Sequence, residues 1–274
     1  MNTLTNAYHP IAGAYPEMMA PDGSIRPHWQ GMMSQLGDYG AATVTDRWNR
    51  ARRVLRQNGV TFNAFGDEED ARRPWELDPV PLMISPDEWD VLSEGLIQRV
   101  RLLNTLLIDL YGEQKLIKRG TLPSELVFAN PAFYRSCQQI NPPDQHYITM
   151  LAVDLARSPD GQWRVVKDQT QAPSGAGYAL ENRLVVSRTF PSMYRDGRVE
   201  RHAGFFAALR GRLEQLSPRG NESPRIVILT PGVQSESYFE HAYLSRYLGF
   251  PLVQGNDLTV RGNQVFLKTL GGLR

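Results

Sequence analysis

Two short segments of the chain carry side chains that could do chemistry on a metal ion or a phosphate. An apolar run that contains Asp154 is followed by a Ser-Pro-Asp-Gly tetrapeptide at 158–161, which has the composition of a tight turn. A second strand-like run then ends in Lys167, Asp168 and Gln169. Antiparallel pairing of the two runs would bring Asp154 close to the end of the second one. A carboxylate and polar side chains gathered in this way could hold a metal ion with its phosphate.

The next segment turns through Pro173, Ser174 and Gly175 and restarts as a helix. Backbone N–H groups at Ser174 and Gly175 could face a phosphate or a carboxylate, as those at helix N-termini do, or they could form only a turn and a cap. On the helix, Arg183 could hold such an anion with two parallel hydrogen bonds. A structural network between Arg183 and Glu181 is the alternative.

This order of residues resembles the last two strands of ATP-grasp enzymes, in which an Asp and a following Glu-x-Asn bind the Mg²⁺ ions that carry ATP. Asp154 and positions 167 and 169 have that spacing. The string from Thr170 to Arg183 is similar to the circularly permuted type 2 ATP-grasp proteins, a bacterial group related in architecture to glutathionylspermidine synthase. Further segments agree with this family in order along the chain: Tyr8–Pro10, Arg26–Trp29, Gly59–Asn63, Arg73–Trp75, Tyr111–Gln114, Leu229–Gly232 and Tyr238–Ala242.

The resemblance implies an α/β fold that is part of a circularly permuted ATP-grasp fold, with a mixed sheet, flanking helices and a Rossmann-like βαβ lobe. It implies ATP and Mg²⁺ as cofactors and a small-molecule or peptide substrate. The implied reaction is ATP-dependent ligation of a carboxylate to an amine through an acyl phosphate. The cofactor-binding residues would be Ser174, Gly175 and Arg183.

The metal motif departs from the family pattern at two positions. Lys167 stands where the family has Glu, and a Lys ammonium has donors but no acceptor for Mg²⁺. Gln169 keeps a carbonyl oxygen, but on a longer arm than Asn. The candidate ligands are therefore Asp154 and Asp168, and Asp168 would need a β-bulge to reach a ligand position. In the alternative interpretation, the hairpin binds no metal, Lys167 pairs with Asp154, and the protein is a catalytically degenerate relative that acts as a binding or scaffolding module.

A βαβ-like unit begins with the apolar strand at 225–229. Ligands of open α/β sheets bind beyond the carboxyl ends of such strands, so Thr230 and Gly232 are candidate substrate contacts. Glu240 and His241, on the following helix, are weaker candidates for substrate contact, since a lone His is more often an ordinary hydrogen-bonded side chain.

We expect three regions along the chain. Residues 1–123 form an N-terminal arm and a helical region, with no clear period before about residue 40. Residues 124–216 contain the ATP-grasp-like hairpin and helices, and 217–224 is a Pro- and Ser-rich linker. Residues 225–274 form the Rossmann-like lobe, which we expect to be incomplete. A longer natural protein would supply the remaining C-terminal part, and the strand at 265–270 would otherwise expose an edge that favours self-association.

Helices are expected at five places. The clearest follows Ser85, which is a good N-cap and is followed by Pro86 and Glu88 in the first turn. Its apolar stripe should be buried against a sheet or another helix. The helix at 45–58 carries five Arg, which form a solvated face or, in the alternative, a nucleic-acid stripe. The remaining three lie at 180–190, 202–216 and 237–248.

Composition narrows the class of protein. The 274 residues carry 30 basic and 29 acidic side chains, so the net charge of +1 indicates neither nucleic-acid nor membrane binding. The single Cys137 excludes an internal disulfide and suits a reducing cytoplasm. The N-terminus has no secretory pattern, and the most apolar helical run is too short and polar to span a bilayer. We therefore expect a cytoplasmic protein.

Overall fold

The computed structural model describes three stretches of the chain: residues 8–62, 73–217 and 224–274. The chain divides into two compact units. We call Ile84–Pro173 the inserted unit, and Met1–Met83 together with Ser174–Arg274 the discontinuous unit. These boundaries differ from the three regions expected above, and that division stays a prediction. The expected linker at 217–224 and the strand end beyond Phe62 lie largely outside the described residues.

The described stretches contain eight α-helices, three short 3-10 helices and nine strands. The helices are α1 (Pro27–Gln57), α2 (Pro86–Tyr111), α3 (Lys115–Lys118), α4 (Ser124–Phe128), α5 (Ala176–Thr189), α6 (Pro191–Asp196), α7 (Ala203–Gln215) and α8 (Tyr238–Leu248). The strands are β1 (Thr61–Phe62), β2 (Arg73–Pro74), β3 (Ala152–Arg157), β4 (Trp163–Gln169), β5 (Ile228–Leu229), β6 (Leu252–Val253), β7 (Leu258–Arg261), β8 (Gln264–Thr269) and β9 (Gly272–Leu273).

Helix α1 supplies much of the core of the discontinuous unit. The expectation of an irregular arm up to about residue 40 is wrong, because the helix begins at Pro27 and is interrupted only at Gly40, where φ is +72°. The signal was present in the sequence: Trp29, Met32 and Leu36 are spaced three and four apart and are all buried. They pack in one cluster with buried residues of α1, α5, α8 and the adjoining segments.

The βαβ lobe is formed by β5, α8 and β6. Strands β5 and β6 are parallel, with Ile228 opposite Leu252 and Leu229 opposite Val253. Helix α8 ends at Gly249, whose φ of +75° is the left-handed conformation that Gly adopts at low cost. Leu248 and Phe250 pack with Phe206 of α7 in a second buried cluster of the discontinuous unit. The predicted βαβ unit is therefore present, with strands shorter than expected.

The last three strands form an antiparallel sheet in the order β7-β8-β9. The hairpin turn between β7 and β8 is made by Gly262 and Asn263, both with positive φ, a conformation that Gly and Asn adopt readily in tight hairpin turns. The expected unpaired edge at 265–270 is wrong for most of that strand, because β8 is the central strand. Leu267 exchanges backbone hydrogen bonds with Arg274, and Lys268 pairs with Leu273. Self-association itself stays a prediction.

The inserted unit is organised by α2 and the β3–β4 hairpin. The Oγ of Ser85 accepts a hydrogen bond from the backbone N–H of Glu88 at 3.3 Å, so the predicted N-cap is confirmed. None of the residues of α2, all of which lie in a described stretch, is fully buried, so its apolar stripe is only half-buried. The amide of Asn104 bonds to the backbone at Gln145 and Tyr147 and fixes the segment that leads into β3.

The turn between β3 and β4 forms as predicted: the Ser158 N–H donates to the Gln162 carbonyl at 2.9 Å. The carboxylate of Glu88 on α2 accepts from Arg157 and, at 2.9 Å, from the indole N–H of Trp163. These bonds anchor the turn end of the hairpin to the first turn of α2, and so they hold the opposite end, which carries the metal motif, in a defined position.

The described strands form four small sheets, of which one is parallel and three are antiparallel. Together with the helices they give the predicted α/β class. No helix of the described stretches is both long and apolar enough to cross a membrane.

Candidate functional site

The β3–β4 hairpin places the metal-motif residues on one face. Asp154 lies directly opposite Lys167, and Ala152 lies opposite Gln169. Because side chains alternate between faces along a strand, Asp154, Lys167 and Gln169 share one face of the hairpin. The spacing of the motif therefore produces the juxtaposition that the sequence predicted.

The contacts on this face differ from those expected. The side-chain amide of Gln169 donates to both carboxylate oxygens of Asp154, at 3.1 and 3.2 Å. Lys167 is exposed, and no ion pair joins it to Asp154, although both residues are fully described. The prediction that Lys167 pairs with Asp154 is wrong, because the Asp154 carboxylate accepts hydrogen bonds from the Gln169 amide instead.

Asp168 lies on the other face of the hairpin. Its carboxylate accepts two hydrogen bonds from the Arg99 guanidinium, from Nε at 2.7 Å and from Nη2 at 2.6 Å. The hydrogen bonds from Arg99 hold the pKa of the Asp168 carboxyl below its usual value. A bulge does exist, since Leu155 pairs with Val165 and skips a residue, but it precedes Lys167 and leaves Asp168 facing α2. Asp154 and Asp168 therefore do not converge on one ion.

This hairpin does not fit a complete Mg²⁺ site by itself. Mg²⁺ takes oxygen ligands, often one or two carboxylates with substrate phosphates. The face offers the single carboxylate of Asp154, with an ammonium beside it at Lys167. Within the described residues, no group of three or more His, Cys, Asp or Glu could hold a metal ion. Binding of Mg²⁺ by Asp154 or Asp168 stays a prediction.

In the discontinuous unit, the N-terminus of α5 already holds an anion from within the chain. The carboxylate of Glu240, on α8, accepts from the N–H of Gly175 with both oxygens at 2.8 Å, and from the N–H of Gly177 at 2.8 Å. Glu240 is only 2% exposed. The favourable field of a helix N-terminus and these charge-assisted hydrogen bonds offset the cost of burying the charge. A phosphate at Gly175 would have to displace Glu240, whereas Ser174 is exposed.

The backbone of Gly177 lies close to the Glu240 side chain, and this supports the contact between α5 and α8. A Cβ at Gly177 would lie 2.9 Å from Cγ and 3.5 Å from Cα of Glu240. Glycine is therefore required at 177 so that α8 can place its carboxylate against the first turn of α5. Glu240 was predicted to contact substrate, but in the structure it joins two helices.

The other predicted substrate contacts form a second polar cluster at the carboxyl end of β5. The N–H of Gly232 donates to the Oγ1 of Thr230 at 3.2 Å, and that oxygen lies 3.0 Å from Nδ1 of His241. If the Thr230 hydroxyl donates to Nδ1, the neutral imidazole carries its proton on Nε2. Burial lowers the pKa of His241, and the charge of Glu240 opposes this shift. Thr230, Gly232 and His241 are thus brought together, and Glu240 points away from them to α5.

The loop after β6 meets this cluster. A Cβ at Gly232, whose φ is +113°, would lie 3.5 Å from Oε1 of Gln254. Gln254 begins the segment that follows β6, so the carboxyl ends of both parallel strands contribute to one edge. This is the edge at which open α/β sheets bind ligands. Sequence reasoning missed Gln254, although its position directly after the second strand was a usable signal.

The Glu-Asn-Arg string on α5 directs its three side chains to three different partners. Glu181 is 4% exposed and accepts from the Asn58 amide at 2.9 Å, and Asn182 accepts from the indole N–H of Trp75 at 2.8 Å. Arg183 instead contacts His202, with 3.0 Å between a guanidinium nitrogen and Nε2. The Arg183–Glu181 network, which was the alternative interpretation, is not formed between these described residues. His202 was not singled out from the sequence because it lies 19 residues away, before α7.

The arginines at the end of α1 line a surface cleft of about 380 Å³ with residues of α5 and α6. Its walls are Arg47, Arg50, Ala51, Val54, Val185, Arg188, Thr189 and Pro191. Arg47 donates to the Thr189 carbonyl at 3.3 Å and lies over the Tyr39 ring, and Arg50 pairs with Asp46. None of the predicted site residues lines this cleft. The arginines therefore act in part within the fold, and not only as a solvated face.

Comparison with known proteins identifies the family. Residues 81–274 match the family described as circularly permuted ATP-grasp type 2. An uncharacterised protein of Mycobacterium tuberculosis is 39% identical over 273 residues, which are 97% of this chain and 31% of that protein. A second uncharacterised protein of the same organism is 36% identical over 263 residues, 96% of this chain and 47% of that protein. An uncharacterised protein of Synechocystis is 33% identical over 260 residues, 95% of this chain and 54% of that protein.

The chain thus spans between 31% and 54% of the length of these relatives. The family match covers the metal-motif hairpin, helix α5 and the βαβ lobe, and the four segments before residue 81 that also carried the resemblance lie outside it. This chain belongs to the circularly permuted ATP-grasp type 2 family.

Proposed function

We propose that this chain is the N-terminal portion of an ATP-grasp ligase that joins a carboxylate to an amine, with an architecture like that of glutathionylspermidine synthase. In such a reaction the carboxylate attacks the γ-phosphorus of ATP and releases ADP. The amine then attacks the acyl phosphate and displaces inorganic phosphate. ATP and Mg²⁺ are the proposed cofactors, and a small molecule or a peptide is the proposed substrate.

The observation that carries this proposal is the family match over residues 81–274, together with the placement of Asp154 on one hairpin face with positions 167 and 169. The edge formed by Thr230, Gly232 and His241 supports a substrate site in the βαβ lobe, since it lies where α/β sheets bind ligands. Arg183 is the proposed phosphate contact on α5. The relatives are longer than this chain, which supports a further part that completes the site.

A specific observation favours a second candidate function. Lys167 shares the face of Asp154, and the Gln169 amide bonds to the carboxylate that would otherwise ligate Mg²⁺. The same observations fit a family member that has lost catalysis and acts as a binding or scaffolding module for a peptide or a partner protein.

ADP release separates the two functions. We would replace the matching residues of the 39% identical M. tuberculosis relative by this chain and supply ATP, Mg²⁺ and pools of carboxylates and amines, with hydroxylamine to trap acyl phosphates. The hybrid should release ADP, and Asp154→Asn should reduce that release by about 100-fold or more, as expected for loss of a group that acts on the transition state. The isolated chain should release none.

The matched control is Asp160→Asn in the turn of the same hairpin, which should leave ADP release unchanged. A hybrid that is inactive while the unaltered relative is active would support the binding module. Activity that is indifferent to Asp154→Asn would remove the hairpin from the proposed mechanism.

A further inference from the structure

We propose that Arg183 and His202 form a binding site for a small oxyanion, a phosphate or a carboxylate, in the discontinuous unit. The site adds His202 to the phosphate contact that was proposed for Arg183. It rests on the proposed function only for the identity of the natural ligand, because the site itself is defined by the contact between the two side chains.

The contact joins two side chains that both carry positive charge when protonated. The Arg183 guanidinium lies 3.0 Å from Nε2 of His202. A guanidinium has N–H donors and no acceptor, so Nε2 must present its lone pair. His202 is therefore neutral, with its proton on Nδ1, whenever this hydrogen bond is formed.

The guanidinium of Arg183 lacks a negative partner in the part of the chain that the structure describes. Among the described residues no carboxylate forms a salt bridge with Arg183, and the centroid of the Tyr194 ring is 6.0 Å from Cζ of Arg183. Arg183 and His202 are both partly buried. A partly buried cation is stabilised far better by a charged acceptor than by a neutral one, and an arginine fork matches the two oxygens of a carboxylate or phosphate. The missing partner is therefore an oxyanion.

Protonation of His202 should be coupled to this ligand. Burial, and then the charge of Arg183, lower the pKa of His202, while the charge of Glu200 raises it. An oxyanion beside Arg183 would cancel part of the repulsion and favour the imidazolium, which then donates a second hydrogen bond to the ligand. Binding should therefore take up a proton and become tighter as the pH falls from about 8 to about 6.

The charged groups that act on His202 come from α5 and from the segment before α7. Arg183 lies on α5, and Glu200 precedes His202 in the chain. The Tyr194 ring of α6 lies near the Arg183 guanidinium. Acetate stays ionised between about pH 6 and pH 8, so the pH dependence of acetate binding in this range is assigned to His202.

Proton NMR of the histidine C2–H resonances tests the site on this chain as it is. The chain has five His, and His202→Gln identifies the resonance of His202 by its loss. Inorganic phosphate, pyrophosphate and acetate are added in separate titrations, so that the phosphate and carboxylate arms can be compared. We expect at least one of them to move the His202 resonance and to raise its titration midpoint. Arg183→Gln should weaken that binding by about tenfold or more.

The matched control is Arg195→Gln, which removes an equal charge from the exposed end of α6, where Arg195 pairs with Asp196. It should change the binding by less than about twofold. The proposal is overturned if none of the three anions moves the His202 resonance, or if Arg183→Gln and Arg195→Gln have the same effect. If an anion binds at His202 but the hybrid protein releases no ADP, only the proposed ligase function is contradicted. If the hybrid releases ADP but no anion binds at His202, only this site is contradicted.

Discussion

The β3–β4 hairpin and the βαβ lobe both carry polar residues at the ends of strands, but they use them in opposite ways. In the hairpin, Asp154 and Lys167 are exposed, and the Asp154 carboxylate accepts from the Gln169 amide. In the lobe, Thr230 and Glu240 are each 2% exposed and bond to backbone N–H groups. The hairpin thus presents its polar groups to solvent, whereas the lobe uses two of them to hold the fold.

This difference shows that the burial of a polar residue beside a strand indicates whether the residue stabilises the fold or is available to a ligand. A buried carboxylate such as Glu240 is retained only where donors offset its desolvation, so its loss should affect stability first. An exposed carboxylate such as Asp154 contributes little to stability, so its loss should affect ligand binding first. Four variants test this division.

The largest effect is expected from Glu240→Ala. It leaves the N–H groups of Gly175 and Gly177 without an acceptor, and it opens a cavity between α5 and α8. We expect a loss of about 3 kcal/mol in the free energy of unfolding, measured by urea denaturation. The control Glu214→Ala removes an exposed carboxylate that pairs with Arg210 on α7, and it should cost less than about 1 kcal/mol. Equal losses in both variants would show that Glu240 has no special role.

Gly177→Ala tests the contact between Glu240 and the first turn of α5 by changing the α5 residue. Its Cβ would lie 2.9 Å from Cγ of Glu240, a side chain that two amides hold in place, so one of the helices must shift. We expect a loss of about 1–3 kcal/mol in unfolding free energy. The matched control is Gly211→Ala in α7, where a Cβ meets no atom within 4 Å. That change should stabilise the protein by about 0.5–1 kcal/mol, and destabilisation in both variants would contradict a specific close approach.

The double variant Lys167→Glu/Gln169→Asn tests whether the exposed face of the hairpin can bind a metal ion. It restores the family pattern Glu-x-Asn on the face that already carries Asp154. Because two carboxylates and an amide oxygen would then face one point, we expect affinity for Mn²⁺ or Mg²⁺ to rise by about tenfold or more, measured by calorimetry. Lys118→Glu makes the same charge change on α3 and should not alter metal affinity. Unchanged affinity in the double variant would remove this face as a metal site.

The smallest effect is expected from Asp168→Asn. Hydrogen bonds from Arg99 hold the pKa of Asp168 below its usual value, so the ionised carboxylate stabilises the fold above the pKa of an unfolded Asp, about 3.9. That contribution is lost as the pH falls through the lowered folded-state pKa. The urea midpoints of the variant and the natural protein should differ slightly at neutral pH and converge towards about pH 3. The control is Asp160→Asn, which removes an exposed carboxylate that pairs with Arg164. If the difference in urea midpoint between Asp168→Asn and the natural protein grew in acid, this assignment would be contradicted.

Local features of the sequence predicted local structure well. The N-cap at Ser85 forms as expected, and the helix end at Gly249 and the hairpin turn at Gly262-Asn263 are local features of the same kind. Each depends on a side chain bonding to its own backbone or on the low cost of positive φ for Gly and Asn. The helical start of α1 was missed because its irregular composition obscured the spacing of Trp29, Met32 and Leu36.

The family resemblance was also visible in the sequence, since many short motifs occur in the right order, and the family match confirms it over residues 81–274. The motif spacing further determined that Asp154, Lys167 and Gln169 share a face, because strand pairing and alternation follow from the backbone alone. Strand pairing does not determine which of these side chains bond to one another.

Only the tertiary structure decided the partners of the polar residues. Arg99 reaches Asp168 across 69 residues of sequence, and Glu240 reaches Gly175 across 65. The choice between a ligand and an internal partner depends on which distant donors the packed helices bring within about 3 Å, and hydrogen bonds fall off steeply beyond that distance. The sequence alone therefore determined the family and the local elements. Which polar groups remain free to bind was decided by the packing of α2 with the hairpin in the inserted unit, and by that of α5 with α8 in the discontinuous unit.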